Sequence, residues 1–333
     1  MIKGIHHVAL VVRDIVAAER YYCAVAGMHR LPAEAALALV PAGLELTPHS
    51  SFEHAVLAGR NGYLELLGPQ RPLSAPDAAA NPINRVGIRH LCVQNSDCSA
   101  LETAVLGSGG SLIAASLDLG TGNQYAYARD PEANIMEIEG LPYAPVGEPN
   151  WFGHVAVVTR DMDQAITFYG SLLGSQPQNR GRFGPGPQFD RMSGLVDVRI
   201  EGAWLQFGNM LLELWHFHTP ESSVETTAHQ FFNPGYSHLC FETDSLSTEA
   251  ARLIQLGGKL LTECKENDRF RSVFALDPEG NIIELLEPRQ PDGPLSIAAL
   301  AEPGICARVE ARRCMIAARA RPVPLNRPVD QQF

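Results

Sequence analysis

Cysteine is sparse, with seven residues scattered over 333 positions. Cys92 and Cys240 fall inside apolar, strand-like stretches, so they read as buried thiols; a disulfide framework or a cysteine-built zinc cluster is disfavoured. Positive charge is in deficit, because 26 Lys and Arg face 37 Asp and Glu for a net charge of -11. No basic face is then available for nucleic acid or for an anionic membrane surface, which leaves small molecules as the expected partners. Also missing are a run of about 20 apolar residues and the apolar core of a secretory leader, since Met1-Ile2-Lys3-Gly4 leads straight into a strand-like segment. The expectation is a soluble, cytoplasmic protein. Apolar side chains are abundant, at 45% of residues, enough at this length for two domains each with its own core.

Four segments open alike: His7-Val8-Ala9-Leu10, His90-Leu91-Cys92-Val93, His154-Val155-Ala156-Val157 and His238-Leu239-Cys240-Phe241. Each is a histidine leading an apolar strand, and each is followed by a helix signal. Asp14 precedes Ile15 to Val25 and Asp161 precedes Met162 to Leu173, with Gly27 and Gly174 as stops. Asp97 precedes Cys98 to Leu106, and Asp244 or Ser245 precedes Leu246 to Leu256, closed by Gly107 and Gly257. Short strands separated by turn residues come after each helix. The unit reads βαβββ, four times over.

The larger period is a half-chain. His7 recurs as His154 after 147 residues, and Glu65 recurs as Glu213 after 148. The chain is therefore a tandem duplication of a module pair. The joint falls near Leu141-Pro142-Tyr143-Ala144-Pro145-Val146-Gly147-Glu148-Pro149, where Pro and Gly break helix and inner strand alike. This gives residues 1–146 as a first domain, 147–288 as a second and 289–333 as a tail. The tail carries seven arginines and four acids, about +3, against about -14 for the rest. Ile305 to Ala320 can form a helix with Ile305, Val309, Ile316 and Ala320 along one side. Laying that helix on the acidic body is its simplest use; a subunit contact or a pocket cover is the alternative. The run from Pro322 to Pro328 reads as extended.

The phrase Asp277-Pro278-Glu279-Gly280-Asn281-Ile282-Ile283-Glu284-Leu285-Leu286 joins a tight turn to an apolar strand with a carboxylate inside it. Glu284 shares its face with Ile282 and Leu286, where an unpaired carboxylate costs roughly several kcal/mol and so needs a cation or a proton. Asp130-Pro131-Glu132-Ala133-Asn134-Ile135-Met136-Glu137 repeats the arrangement. With Glu65 in Tyr63-Leu64-Glu65-Leu66 and Glu213 in Leu212-Glu213-Leu214, each half holds two strand-opening histidines and two carboxylates on late strands. Taken half by half, the sets are His7, Glu65, His90, Glu137 and His154, Glu213, His238, Glu284. An isolated histidine on an apolar strand is more often a hydrogen-bonded core residue. Eight such groups at repeated spacings point to two metal sites instead.

Two imidazoles and two carboxylates suit a divalent first-row ion (Ni, Co, Zn, Mn or Fe(II)) with the remaining positions of an octahedron left for water or substrate. Structural zinc prefers closed cysteine-rich tetrahedra, which favours an open site here. His6 would face away from His7, and His216 and His218 are minor additions to the second pocket.

These openings and Asp-Pro-x-x-Asn-Ile-x-Glu closings resemble the vicinal oxygen chelate superfamily, which includes glyoxalase I, methylmalonyl-CoA epimerase, fosfomycin-resistance proteins and extradiol dioxygenases. The resemblance covers about residues 4 to 288. It implies an α+β fold of four βαβββ modules in two tandem glyoxalase-like domains, each a curved mixed sheet around an ion held by His, Glu, His, Glu. Modules could pair as neighbours, or first with fourth and second with third.

The resemblance implies an isomerase, epimerase or lyase acting on a hydroxycarbonyl-type substrate through a metal-stabilised enediolate, with Glu213, Glu284 and Glu65 as the groups that move the proton. The alternatives are an Fe(II) extradiol dioxygenase and a non-catalytic small-molecule binder. Against the dioxygenase, Phe274 stands where that family's tyrosine would precede Asp-Pro; Tyr127 keeps it in the first half, and neither half has the accompanying histidine. Against the binder, both quartets are complete. Gly280 and the aromatics Trp204, Phe207 and Trp215 make the second half the expected main site, with Glu284 outweighing Glu137. A homodimer is the assembly provided for.

Overall fold

The computed structural model describes residues 1–34, 52–69, 73, 81–223, 231 and 233–320. The stretch from Pro322 to Pro328 lies outside them. Module 1 consists of strand β1 (Ile2–Val11), a helix (Ile15–Ala26), β2 (His29–Arg30), β3 (Phe52–Ala58) and β4 (Tyr63–Pro69). Module 2 has β5 (Gly87–Asn95), a helix (Cys98–Gly107), β6 (Ser111–Leu112), β7 (Gln124–Arg129) and β8 (Ile135–Gly140). Module 3 has β9 (Trp151–Val158), a helix (Met162–Leu173), β10 (Pro177–Phe183), a short helix (Pro187–Ser193), β11 (Arg199–Phe207) and β12 (Met210–Thr219). Module 4 has β13 (Gly235–Thr243), a helix (Leu246–Gln255), β14 (Lys259–Leu260), β15 (Lys265–Glu266), β16 (Phe270–Leu276) and β17 (Ile282–Pro288). The helix Ile305–Ala320 follows.

The caps expected at Asp14, Asp97 and Asp161 form. The fourth module's helix instead has Ser245 at its N-cap with no side-chain cap hydrogen bond and Leu256 at its C-cap, and the second module's helix runs through Gly107 to a C-cap at Ser108. Asp14 accepts from the Ala17 N–H and Asp161 from the Gln164 N–H, each at 2.9 Å. Gly27 and Gly174 close their helices in the left-handed region, at φ 67° and 65°, where a Cβ is penalised.

The sheets do not follow the sequence halves. One has the order β14-β16-β17-β13-β1-β4-β3-β2, with β15 on β16, and the other β10-β11-β12-β9-β5-β8-β7-β6. Module 1 thus shares a sheet with module 4, and module 2 with module 3. At the centre of each sheet the two opening strands run antiparallel, β1 against β13 and β5 against β9, while each opening strand is parallel to the last strand of its own module.

Connection length accounts for the pairing. Only ten residues, 141–150, separate β8 from β9, against 17 between β4 and β5 and 15 between β12 and β13. The short link sets β9 down in the same sheet as β8, beside β5, and the longer ones carry the chain to the other sheet. Of the two pairings that the sequence left open, the structure has first with fourth and second with third.

The halves still cohere behind the sheets. The helices pack against apolar sheet faces in one large core that includes Tyr21, Tyr22, Phe168, Leu212 and Phe241. Tyr22 donates to Asp130 at 3.0 Å and Tyr169 to Asp277 at 2.7 Å, so each odd-module helix is tied to the turn of the module that follows it. The Asp277 carboxylate also accepts from the backbone N–H groups of Glu279 and Asn281 and from Asn281 Nδ2, at 2.9, 2.8 and 2.7 Å. The aspartate of the repeated phrase is thus a structural hub, and the proline and glycine around it shape the turn.

Asp277→Ala leaves four donors short of an acceptor, two of them backbone groups. Urea unfolding is expected to show a loss of about 3 kcal/mol. The exposed Asp292→Ala serves as control and stays within about 0.5 kcal/mol. Equal midpoints for the two variants would contradict the hub role.

Candidate active site

On the sheet of modules 2 and 3, His90 of β5 and His154 of β9 bring their Nε2 atoms to 3.3 Å across the central antiparallel pair. Glu137 of β8 and Glu213 of β12 flank them. Glu137 Oε2 lies 3.1 Å from His90 Nε2 and 3.0 Å from His154 Nε2; Glu213 Oε2 lies 3.3 and 3.2 Å from the same atoms. One ligand atom from each of the four lies within 4.8 Å of all the others. All four side chains are buried.

Two buried carboxylates so close repel unless something positive lies between them. Without an ion, a proton on His154 serves. Burial alone would raise the Glu213 pKa, but the charge and hydrogen bond of His154 outweigh it and hold the carboxyl well below its usual range. Burial likewise opposes protonation of His154, yet its anionic surroundings, Glu213 and Glu137 among them, lift its pKa well above the ordinary value. Glu213 Oε2 is buried without a directed hydrogen bond. An orphaned carboxylate oxygen facing two imidazole nitrogens is the donor set a divalent ion requires, so the residues fit the metal.

The surroundings fix this cluster. Trp204 Nε1 donates to Glu213 Oε1 at 2.7 Å, leaving Oε2 for the cluster. Glu139, two residues beyond Glu137 on the same face of β8, accepts from Gln94 Nε2 at 2.5 Å and Asn123 Nδ2 at 2.9 Å. Burial, then the charge of Glu137, pushes its pKa up to about 7. In front of the cluster lies a cavity of about 580 Å³, lined by Glu137, His154 and Glu213 and by the rings of Phe183, Trp204 and Trp215. Val309 and Arg313 of the C-terminal helix form part of its wall. That helix is anchored where Ile305 and Val309 bury against Leu141, Ala144 and Trp151, and Arg308 pairs with Glu148 and Glu302 at 3.0 and 2.6 Å. It is both laid on acidic groups of the body and a cover for the pocket.

The other four residues meet on the sheet of modules 1 and 4. His7 and His238 Nε2 are 3.2 Å apart, Glu65 Oε2 lies 3.4 and 3.3 Å from them, and Glu284 Oε2 lies 3.3 and 3.7 Å away. This cluster is looser on the Glu284 side and more enclosed. Phe274 and Phe231 stand against the His238 ring at centroid distances of 5.1 and 6.2 Å, and Glu284 has 0% exposure. None of the four lines the cavity. His54 of β3 adds a hydrogen bond to Glu65 Oε1 at 2.7 Å. Burial opposes the charge on His238, but hydrogen bonds to Glu284 and Glu65 prevail and push its pKa up to about 9.

Two expectations are thereby corrected. The quartets are His90, Glu137, His154, Glu213 and His7, Glu65, His238, Glu284, because the sheets pair modules 2 with 3 and 1 with 4. The cavity belongs to the first of these, so Glu284 and Glu65 stand away from it and Glu137 stands at it. His216 and His218 stack on each other at 4.4 Å on the face of β12 opposite Glu213, Trp215 and Phe217, and do not line the cavity. His6 does turn away from the cluster at Nε2, which pairs with the Leu295 carbonyl oxygen at 2.7 Å. His54 and Glu139 were missed. His54 lies 11 residues before Glu65 where the other copy has Gly202 before Glu213, and Glu139 matches Leu286 in the repeated phrase.

Ion binding to the folded chain raises its stability by about 2.7 kcal/mol at a free concentration one hundred times the dissociation constant. EDTA should lower the melting temperature, and added zinc or nickel should restore it with release of protons into weak buffer, as the ion displaces those held by His154 and His238. A melting temperature indifferent to both treatments would contradict ion binding.

Residues 6–127 and 151–285 each match the Glyoxalase/Bleomycin resistance protein/Dioxygenase superfamily. Glyoxylase I 4 of Arabidopsis thaliana is 27% identical over 134 residues, 40% of this chain and 67% of that protein. Anthracycline biosynthesis protein DauV of Streptomyces sp. (strain C5) is 28% identical over 212 residues, 60% of this chain and 66% of that one. The chain thus matches about two thirds of the length of each. Among solved structures, glyoxalase I from Zea mays superposes with a TM-score of 0.60 at 19% identity, over 85% of this chain and 92% of that one. A putative dioxygenase from Bacillus subtilis subsp. subtilis str. 168 superposes with a TM-score of 0.55 at 12% identity over 98% of both chains. The chain belongs to the Glyoxalase/Bleomycin resistance protein/Dioxygenase superfamily, with its domains in tandem.

Proposed function

We propose that this chain is a divalent-metal-dependent isomerase, epimerase or lyase of glyoxalase type, acting on a hydroxycarbonyl compound in the cavity between modules 2 and 3. The observation that carries the reading is the pair of buried carboxylates beside two imidazoles at the cavity wall, one of them steered by Trp204. His90, His154, Glu137 and Glu213 would hold the ion, and when bound it supplies Lewis acidity toward two neighbouring substrate oxygens.

The chain's own groups do the rest. Trp204 fixes Glu213 Oε1; Oε2 would help hold the ion and, once displaced by the substrate oxygens, would be the atom positioned to take a proton from the carbon next to the substrate carbonyl. Returning that proton to the former carbonyl carbon, with the hydroxyl proton passing to the former carbonyl oxygen, completes an isomerisation with no oxidant consumed; returning it to the opposite face of the same carbon completes an epimerisation. Gln94 and Asn123 hold Glu139 alongside, where a pKa of about 7 lets it exchange a proton with the cavity near neutral pH. His90, His154, Glu137 and Glu213 together would leave an ion room for the oxygens of one substrate rather than for substrate and dioxygen at once.

With a hydroxyketone in D2O, solvent deuterium should enter the carbon next to the carbonyl, anaerobically and with Ni, Co, Mn or Zn. Glu213→Ala should slow the exchange by at least a hundredfold, as loss of a general base does. Glu137→Gln should be similarly damaging, and Glu284→Gln should cost less than about threefold. Strict dependence on Fe(II) and oxygen, with ring cleavage of a catechol, would establish the dioxygenase instead.

A further inference from the structure

We infer that the substrate carries a flat aromatic ring system and no peptide-like anionic body, so that the pocket takes an aromatic hydroxyketone or hydroxyquinone. This rests on the reading of the His90, Glu137, His154, Glu213 cluster as an ion site for a hydroxycarbonyl group, and it adds what the remainder of the substrate is. A cavity of about 580 Å³ encloses a drug-sized molecule. A three-carbon hydroxyketone would leave most of it empty.

The aromatic wall is specific to this copy of the duplicated fold. Trp204 pairs with Glu213, and Gly202 with Trp215, across β11 and β12. The matching register on β3 and β4 pairs Val56 with Glu65, and His54 with Leu67. The fold therefore does not need indoles at these positions, since its other copy builds the same strands with Val and Leu.

Packing keeps the wall in place. Phe183, Trp204 and Trp215 lie mutually edge-on, with centroids 5.7 to 5.9 Å apart. A Cβ on Gly202 would come within 2.9 Å of Trp204 and 3.2 Å of Trp215, so the close approach of the rings depends on that glycine. Trp204 is further tied to the ion cluster through Glu213. A ring chelated through neighbouring oxygens is thus met by aromatic surfaces with little freedom left to lose.

Charge argues against a peptide adduct such as a glutathione conjugate. The two cations on the cavity wall are already engaged. Arg180 binds Glu201 and Asp163, each at 2.6 Å, and Arg313 forks onto Glu310 at 2.8 and 2.6 Å. Neither arginine among the described residues of the wall is therefore free to take a substrate carboxylate.

The test titrates the ion-loaded full chain, desalted free of excess metal, with 1,2-dihydroxyanthraquinone and separately with S-hexylglutathione. It follows tryptophan fluorescence and checks stoichiometry by calorimetry. Trp204 and Trp215 are two of the chain's three tryptophans, so ring binding should quench strongly. The expected result is saturable one-to-one binding of the anthraquinone in the micromolar range, at least tenfold tighter than S-hexylglutathione. Phe183→Leu and Trp215→Leu should each weaken it by tenfold or more with ion content unchanged. The ratio of the two probes on the unaltered protein stands even if a variant fails to fold. Tighter binding of S-hexylglutathione, or no binding of the anthraquinone, overturns the aromatic class. If small hydroxyketones still exchange deuterium in that case, the reaction proposed above survives; if the anthraquinone binds but no substrate exchanges, the aromatic class survives and the reaction does not.

Discussion

The structure depends on the antiparallel contact between opening strands from different halves of the chain. Each strand brings one histidine, and neither half can assemble a site from its own pair. When β5 meets β9 and β1 meets β13, the two imidazoles of each pair come within 3.2 to 3.3 Å. The parallel neighbours β8, β12, β4 and β17 then deliver a carboxylate to each side. Apolar burial drives the sheets together, but the price of that burial is eight ionisable groups in two small volumes. Each cluster must hold protons or an ion to remain there.

Duplication gave both clusters the same frame, and side chains next to the frame made them different. In one, Phe231 and Phe274 press on His238, and His54 ties down Glu65. In the other, Gly202 clears space where His54 would stand, Trp204 replaces Val56 beside the glutamate, and Tyr127 stands opposite His90 with ring centroids 5.2 Å apart. The C-terminal helix then lends Val309 and Arg313 to the wall of the cavity at this cluster. Among the described residues, the cavity opens at Glu137, His154 and Glu213, while His7, Glu65, His238 and Glu284 lie buried between modules 1 and 4.

Much of this is legible in the sequence because it is written in local patterns. A capping aspartate, a stopping glycine and period-two alternation identify helices and strands without knowledge of the rest. The 147-residue spacing of His7 and His154 likewise exposes the duplication and the eight clustered residues. Their partition is a different matter, since strand pairing between modules depends on the geometry of linkers and the burial of whole faces. Residues 141–150 held a clue in their brevity. Phe207 shows the other limit: it falls on the opposite face of β11 from Trp204 and packs near Phe241 in the core, at 5.9 Å between centroids. Strict alternation along β11 predicts that. Glu139 and His54 became conspicuous only when the asymmetry between copies acquired a location.

The most direct test of the account is a crystal structure of the zinc-loaded chain, with anomalous scattering measured on both sides of the zinc edge. A zinc peak among His90, Glu137, His154 and Glu213, at the edge of the aromatic cavity, is the expected result. Absence of a peak there, or zinc found only among His7, Glu65, His238 and Glu284, would contradict the placement of the reactive site between modules 2 and 3.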